Sequence, residues 1–215
     1  MQRLAIIGSG DLGRQIAYYA NAMGSYKVIG FLDDFEKPGT VKHGIEILGG
    51  IDILRKLYAQ DTFDVLMIGI GYKHMQKRAA VFREHHGKIP FARIIHPSCI
   101  IDPSSRIEEG VIIFPGCVID CNSYIGPNVL IYTGCTISHD VKIGAHSMLA
   151  PAIKTSGFVD IGECVTLGTG TVIIDHIKIT ANVITGAGSV VVNDLLEAGL
   201  YYGVPAKLKL KHGTL

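Results

Sequence analysis

The sequence predicts a chain of class α/β plus β: a small Rossmann-like βαβαβ domain over residues 1–94, then a parallel β-helix over residues 95–215. Three observations lead there. The first ninety or so residues alternate strand-like and helix-like stretches. From about Ile95 an aliphatic residue recurs at every sixth position. Small residues often follow those positions, as tight corners between short strands require.

Within the first part, "RLAIIGSGDLGRQIAYYANAMG" reads as an apolar strand, a glycine turn and a helix with Ile16, Tyr19, Ala20 and Met23 on one face. "YKVIGFLDD" is a second strand ending in two acids, and "FDVLMIGIG" a third. "YKHMQKRAAVFREHHG" follows as a helix with a glycine at its end. This order packs as a parallel sheet with helices on its faces. Gly8, Gly10 and Gly13 make a GxGxxG turn, suited to bring backbone N–H groups and a helix N-terminus against phosphate. Asp33 ends the second strand, where a dinucleotide fold places its ribose acid. About three strands are half of a full dinucleotide domain, which argues for one mononucleotide rather than NAD, and leaves a turn with only packing duties as the alternative. Gly69, Gly71 or Lys73, after the third strand, could approach the same ligand.

The second part is read in steps of six: Ile101, Ile107, Ile113, Ile119, Ile125, Ile131, Ile137, Ile143, Leu149, Thr155, Ile161, Leu167, Ile173, Ile179, Thr185 and Val191. A helix needs apolar spacing near 3.6 and an ordinary strand needs two. Period six fits a triangular β-helix whose flat sides are one hexapeptide each, so that residues eighteen apart stack at roughly 4.8 Å. Gly126, Gly144, Ala150, Gly162, Gly168 and Gly186 then fall at corners.

Composition restricts the partners. Lys+Arg 20 against Asp+Glu 19 gives a net charge of +1, which offers nucleic acid and anionic membrane no electrostatic footprint, and no segment has membrane-spanning length. Small molecules are the expected partners. The short glycine-broken run Leu4–Gly8 does not read as a secretory leader, and the five cysteines lack C-x-x-C spacing, so a reduced, cytoplasmic protein is expected.

The order of "IIGSGDLG…FLDD", "IIHPS", hexapeptides containing "SHD…IG", "TSG", "ITGAGSVV" and "YYGVPAK" resembles the left-handed β-helix sugar acyltransferases. The likeness is to the sialic acid O-acetyltransferase and nucleotide-amino-sugar N-acetyltransferase type, and it covers nearly the whole chain. It implies acetyl-CoA as cosubstrate and an N-terminal domain that holds the nucleotide of a nucleotide sugar. Gly8, Gly10, Asp33 and Asp34 would line that pocket.

His139 interrupts the aliphatic grammar. Alone it reads as a solvated histidine on the wall; but eighteen residues on stands Gly157, after Thr155 and Ser156 break the ladder. A base that titrates near neutral pH, one coil from a backbone amide, suits acyl transfer. The resemblance assigns these roles to His139 and Gly157 and the orientation of the ring to Asp140. Many relatives carry a second histidine near the thioester; aligning on Ile143-Gly144 puts Met148 there, with His146 two residues away and read as structural. Gly186, Ala187 and Gly188 would let pantetheine lie close to the wall. "GVPAK" resembles the segment that meets coenzyme A, with Pro205 and Lys207 in contact, and Lys209 and Lys211 beyond.

The expected reaction is acetyl transfer to the amine of a nucleotide-linked sugar. Alternatives are sugar O-acetylation, a non-catalytic nucleotide-sugar binder, and a metal-dependent γ-type carbonic anhydrase. The last needs three convergent histidines including an H-x4-H pair, whereas His139 and His146 have six residues between them, so no metal site is expected. A flat wall offers a long coenzyme no groove, which predicts a homotrimer with coenzyme between neighbouring repeat domains.

Overall fold

The computed structural model describes residues 1–211; residues 212–215, the end of the expected C-terminal tail, lie outside the described residues. The chain forms two compact units, Met1–Ile94 and Ile95–Leu215.

In the first unit, β1 (Gln2–Ile7), α1 (Asp11–Met23) and β2 (Tyr26–Leu32) follow the expected order. Then comes a short hairpin, β3 (Val41–Lys42) and β4 (Ile45–Gly49), before α2 (Leu54–Ala59), β5 (Val65–Ile68) and α3 (Met75–His85). The sheet therefore has five strands, in the order β3-β4-β2-β1-β5, where the sequence suggested about three. The hairpin turns on His43 and Gly44 at φ 55° and 77°, the double positive φ of a type I′ turn. β4 then runs parallel to β2, with Phe31 opposite Ile47. The α1 face that packs inward is Leu12, Gly13, Ile16, Ala17 and Ala20, while Ala5, Ile7, Leu32, Leu66 and Ile68 join Val81 and Phe82 of α3 in one core.

The second unit is a three-sided parallel β-helix. One side carries Ile100–Ile101, Val118–Ile119, Thr136–Ile137, Lys154–Thr155, Val172–Ile173 and Val190–Val191. The next carries Arg106–Ile107, Tyr124–Ile125, Lys142–Ile143, Asp160–Ile161 and Lys178–Ile179. The third includes Ile112–Ile113, Leu130–Ile131, Met148–Leu149, Thr166–Leu167 and Val183–Thr185, and ends in the antiparallel hairpin Gly199–Tyr202 with Lys207–Lys211. Partners are eighteen apart, as Thr136↔Lys154 and Ile137↔Thr155 show. From Ile113 to Val191 every ladder position is buried. Each such aliphatic side chain contributes about 1.5–3 kcal/mol relative to exposure.

Each side also buries the residue two before the ladder, because residues i and i+2 of a strand share a face. Val111, Val129, Val141 and Ile153 occupy this second stack, but so do Cys117, Ser123, Cys135 and Ser147. The polar members donate to a corner carbonyl of the next coil: Ser123 Oγ to Ser138 O at 2.8 Å, Ser147 Oγ to Gly162 O at 3.0 Å, Cys117 Sγ to Tyr132 O at 3.1 Å. Turn carbonyls that face the core are satisfied this way without water.

Corners repeat a left-handed residue every six positions, among them Asn122, Asn128, Gly134, Asp140, His146, Ala152, Phe158, Cys164, Gly170, His176, Asn182 and Gly188. The small residues after the ladder sit where coils nearly touch: a Cβ on Gly144 would lie 2.5 Å from the Gly162 carbonyl carbon.

Candidate functional site

Two groups of residues carry chemistry, one in each unit. In the first, β1 delivers Gly8 at φ 95° and α1 starts at Asp11 with Gly10 as its N-cap. No side chain caps that end, so the first-turn N–H groups are left for an anion. Gly10 is exposed with nothing within 4 Å of a Cβ built on it, open space over the turn. Gly13 is there for packing: its Cβ would fall 2.0 Å from Gly8 O. Gly69, expected to face the ligand, is buried behind the turn, where a Cβ would meet Gly13 Cα at 2.7 Å and Gly8 O at 2.8 Å. It supports the turn and offers a ligand no surface. Lys73 is exposed in the short 3₁₀ turn Tyr72–His74 ahead of α3.

Asp33 ties β2 to the turn. Its Oδ2 accepts from Ser9 N at 2.8 Å and Ser9 Oγ at 2.6 Å, and its Oδ1 from Phe35 N at 3.0 Å. Asp34 Oδ1 accepts from Ile51 N at 2.7 Å. Burial pushes the Asp33 carboxyl up, but the bonds from Ser9 and Phe35 and the charge of Lys42 outweigh it and hold the group below its ordinary value. A depressed carboxylate stabilises the fold above its unfolded pKa of about 3.9, and this is lost as pH falls through the lower folded value. Asp33→Asn should therefore lower the melting temperature at pH 7, and the gap from the parent should shrink below about pH 4. Melts between pH 7 and 3 check this; a pH-independent gap would mean that charge is not what holds the turn. Ser9, buried between the glycines, is the partner that sequence reading missed, and its place as the variable position of the motif gave no signal.

In the second unit His139 stands at the corner between the first two sides. The ladder residue Ile137 points inward, Asp140 takes the left-handed turn at φ 57°, and the His139 side chain is left 43% exposed. Its Nδ1 lies 2.9 Å from Asp140 Oδ2. With that carboxylate accepting Nδ1–H, Nε2 holds the ring's lone pair and is the nitrogen able to accept a proton. One coil on, a Cβ on Gly157 would come 2.6 Å from His139 Cε1 and 2.8 Å from Nε2, so the imidazole occupies the space that the glycine leaves. Gly157 is buried. Thr155, a ladder break, is buried and its Oγ1 accepts from Ser138 N at 3.3 Å.

The remaining candidates do not gather around His139 within one chain. His146 occupies the next corner at φ 62°, buried, with Nδ1 2.9 Å from Asn128 Nδ2. A full side of the prism separates the two histidines within the chain. Among the described residues no group of three or more His, Cys, Asp or Glu is placed to hold a metal. Met148 is buried on the third side between Leu130 and Thr166. Gly186, Ala187 and Gly188 form the corner between the third and first sides, where Gly186 lies against Tyr202 and Ala187 and Gly188 are exposed. Pro205 and Lys207 are exposed in the final hairpin. No helix among the described residues is long and apolar enough to cross a membrane.

A family profile described as the PglD N-terminal domain matches residues 3–84. UDP-N-acetylbacillosamine N-acetyltransferase of Bacillus subtilis is 34% identical over 116 residues, 52% of this chain and 51% of that protein, so the match spans about half the length of this curated relative. A histidine-to-asparagine variant of perosamine N-acetyltransferase from Caulobacter crescentus, solved with CoA and GDP-perosamine, superposes with a TM-score of 0.87 at 33% identity over 97% of both chains. The acetyltransferase domain of PglB from Neisseria gonorrhoeae, solved with acetyl coenzyme A, gives a TM-score of 0.88 at 28% identity over 97% of this chain and 99% of the other.

Proposed function

Because the chain belongs to the left-handed β-helix family of nucleotide-sugar N-acetyltransferases, we propose that it moves the acetyl group of acetyl-CoA onto the amine of a nucleotide-linked amino sugar, with His139 as general base. The observation that carries this reading is the His139 ring, anchored on Asp140 at 2.9 Å and seated over side-chain-free Gly157. The neutral amine attacks the thioester carbonyl and His139 Nε2 takes its proton. The tetrahedral oxyanion is met by the Gly157 N–H. Collapse breaks the C–S bond, and the thiolate of CoA leaves with the proton carried by His139.

The first unit supplies the nucleotide site: the open face of Gly10 and the uncapped start of α1 for phosphate, Asp33 and Asp34 at the end of β2, and Lys73 nearby. Asp33→Ala should raise the acceptor KM more than the acetyl-CoA KM. Coenzyme would follow Gly186, Ala187 and Gly188 toward Pro205 and Lys207, with Met148 as the remaining candidate. The side between that corner and His139 exposes Ile100 and Val172. A flat wall that leaves these aliphatic side chains open, with Lys154 among them, supports a homotrimer in which a second copy closes the groove. Five free thiols support a reducing, cytoplasmic setting.

The test is acetyl transfer from acetyl-CoA to UDP-, dTDP-, GDP- and CMP-linked sugars with and without an amine, run beside light scattering. Transfer confined to the amino sugars and a trimeric mass are expected. Acetylation of sugars lacking an amine, or a stable and fully active monomer, would overturn the corresponding part.

A further inference from the structure

We propose that Phe158 and His176 form an aromatic platform beside the base that binds the ring of the acceptor sugar. This rests on the acetyltransferase reading above. Phe158 holds a left-handed corner at φ 59°, a conformation that bulky side chains avoid and that Asn or Gly adopts freely. Some corners of this helix use the easy residues, as at Asn122, Asn128, Gly134, Gly170 and Asn182, and others take Ala152 or Cys164; Phe158 is the bulkiest side chain at any of them. The strained choice at Phe158 does not serve the core, because the residue is 50% exposed.

What it does instead is line the base. Its ring meets His139 edge-on, with centroids 5.2 Å apart and planes at 86°, and stacks face to face on His176 at 4.8 Å and 7°. Backbone bonds fix this column: Phe158 N donates to His139 O, and His176 N to Gly157 O. Two stacked rings therefore continue the wall on which the imidazole sits. An amine within hydrogen-bond reach of His139 Nε2, about 3 Å, belongs to a sugar ring some 5 Å across, which brings the sugar within van der Waals reach of this wall. The C–H face of a pyranose is apolar, and it suits the half-exposed part of the Phe158 ring that its contacts with His176 and His139 leave open. The occupant inferred here is thus a pyranose face, with the platform orienting its amine toward Nε2.

Three variants test it: Phe158→Asn, suited to the left-handed corner, Phe158→Leu, which keeps apolar bulk, and Phe158→Tyr, which keeps the ring. In Phe158→Asn the acceptor KM should rise roughly tenfold, with the acetyl-CoA KM within about twofold of the parent. Its melting temperature should be unchanged or higher. Phe158→Leu should share the acceptor defect and Phe158→Tyr should restore it. By calorimetry, the affinity advantage of a UDP- or GDP-linked amino sugar over UDP or GDP alone should shrink in Phe158→Asn, which a purely structural role would not produce. An unchanged acceptor KM, an acetyl-CoA KM that rises in step, or an altered oligomeric mass would overturn the platform. Two controls run beside these separate the ideas: a His139→Ala variant with full turnover would show that His139 is not the base, and a parent enzyme that transfers no acetyl group to any amino sugar would mean that the acetyltransferase reading has failed, whatever Phe158 does.

Discussion

Replacing His139 by alanine should lower kcat by about 10²–10⁴, the usual contribution of a general base, and leave the melting temperature close to the parent's. The two halves of this expectation have one cause. The imidazole stands outside the aliphatic ladder at a corner, so its removal opens no cavity among Ile119, Ile137 and Ile173, which are buried to within 1%. What is lost is the lone pair that Asp140 orients from 2.9 Å. His146→Ala is the control with the opposite profile. That ring is buried and bonded to Asn128, so its loss should destabilise the fold by about 1–3 kcal/mol while kcat at saturation is largely kept. Equal losses of kcat in the two variants, with both folded, would make the histidine of "ISHDV" a structural residue.

The ladder was legible in the sequence because every sixth residue is aliphatic, and the two threonines that interrupt it, Thr155 and Thr185, keep their inward places by hydrogen bonding. The second inward stack was not, because fully buried thiols and hydroxyls such as Cys117 and Ser123 break its aliphatic pattern; only the corner carbonyls they satisfy explain them. Corners were readable where Asn or Gly stands and silent at Ala152 and Phe158, whose side chains give no sign of the conformation they adopt. In the first unit, two residues of β3 are too few to show a period, and the His43-Gly44 turn was the signal that could have revealed the hairpin. At the site, spacing by eighteen correctly joined His139 to Gly157, but it could not say which feature of the glycine matters. The geometry adds the missing side chain to the backbone amide that sequence reasoning had emphasised.

That distinction makes Gly157→Ala the sharpest probe of the site. The backbone there is not in the left-handed region, so alanine meets no conformational penalty of the kind that Gly188, at φ 68°, would impose. The obstacle is local: the new methyl would lie 2.6 Å from His139 Cε1, 2.8 Å from Nε2 and 3.2 Å from Nδ1. All three contacts are to one partly exposed side chain and none to backbone, so the ring swings away and the coils stay in register. A displacement near 1 Å of a group in a near-attack arrangement costs on the order of 10² in rate, so kcat should fall by about that factor with the melting temperature little changed. Gly144→Ala has the reverse obstacle, since its methyl would strike Gly162 carbonyl carbon and oxygen at 2.5 and 2.6 Å, and backbone cannot yield without parting two coils. It should melt earlier, and whatever fraction remains folded should turn over normally. Thermal melts beside saturating kinetics on both variants check the pair. A Gly157→Ala enzyme with parental kcat would show that the base does not need its seat, and would take the stacking of His139 over Gly157 out of the mechanism.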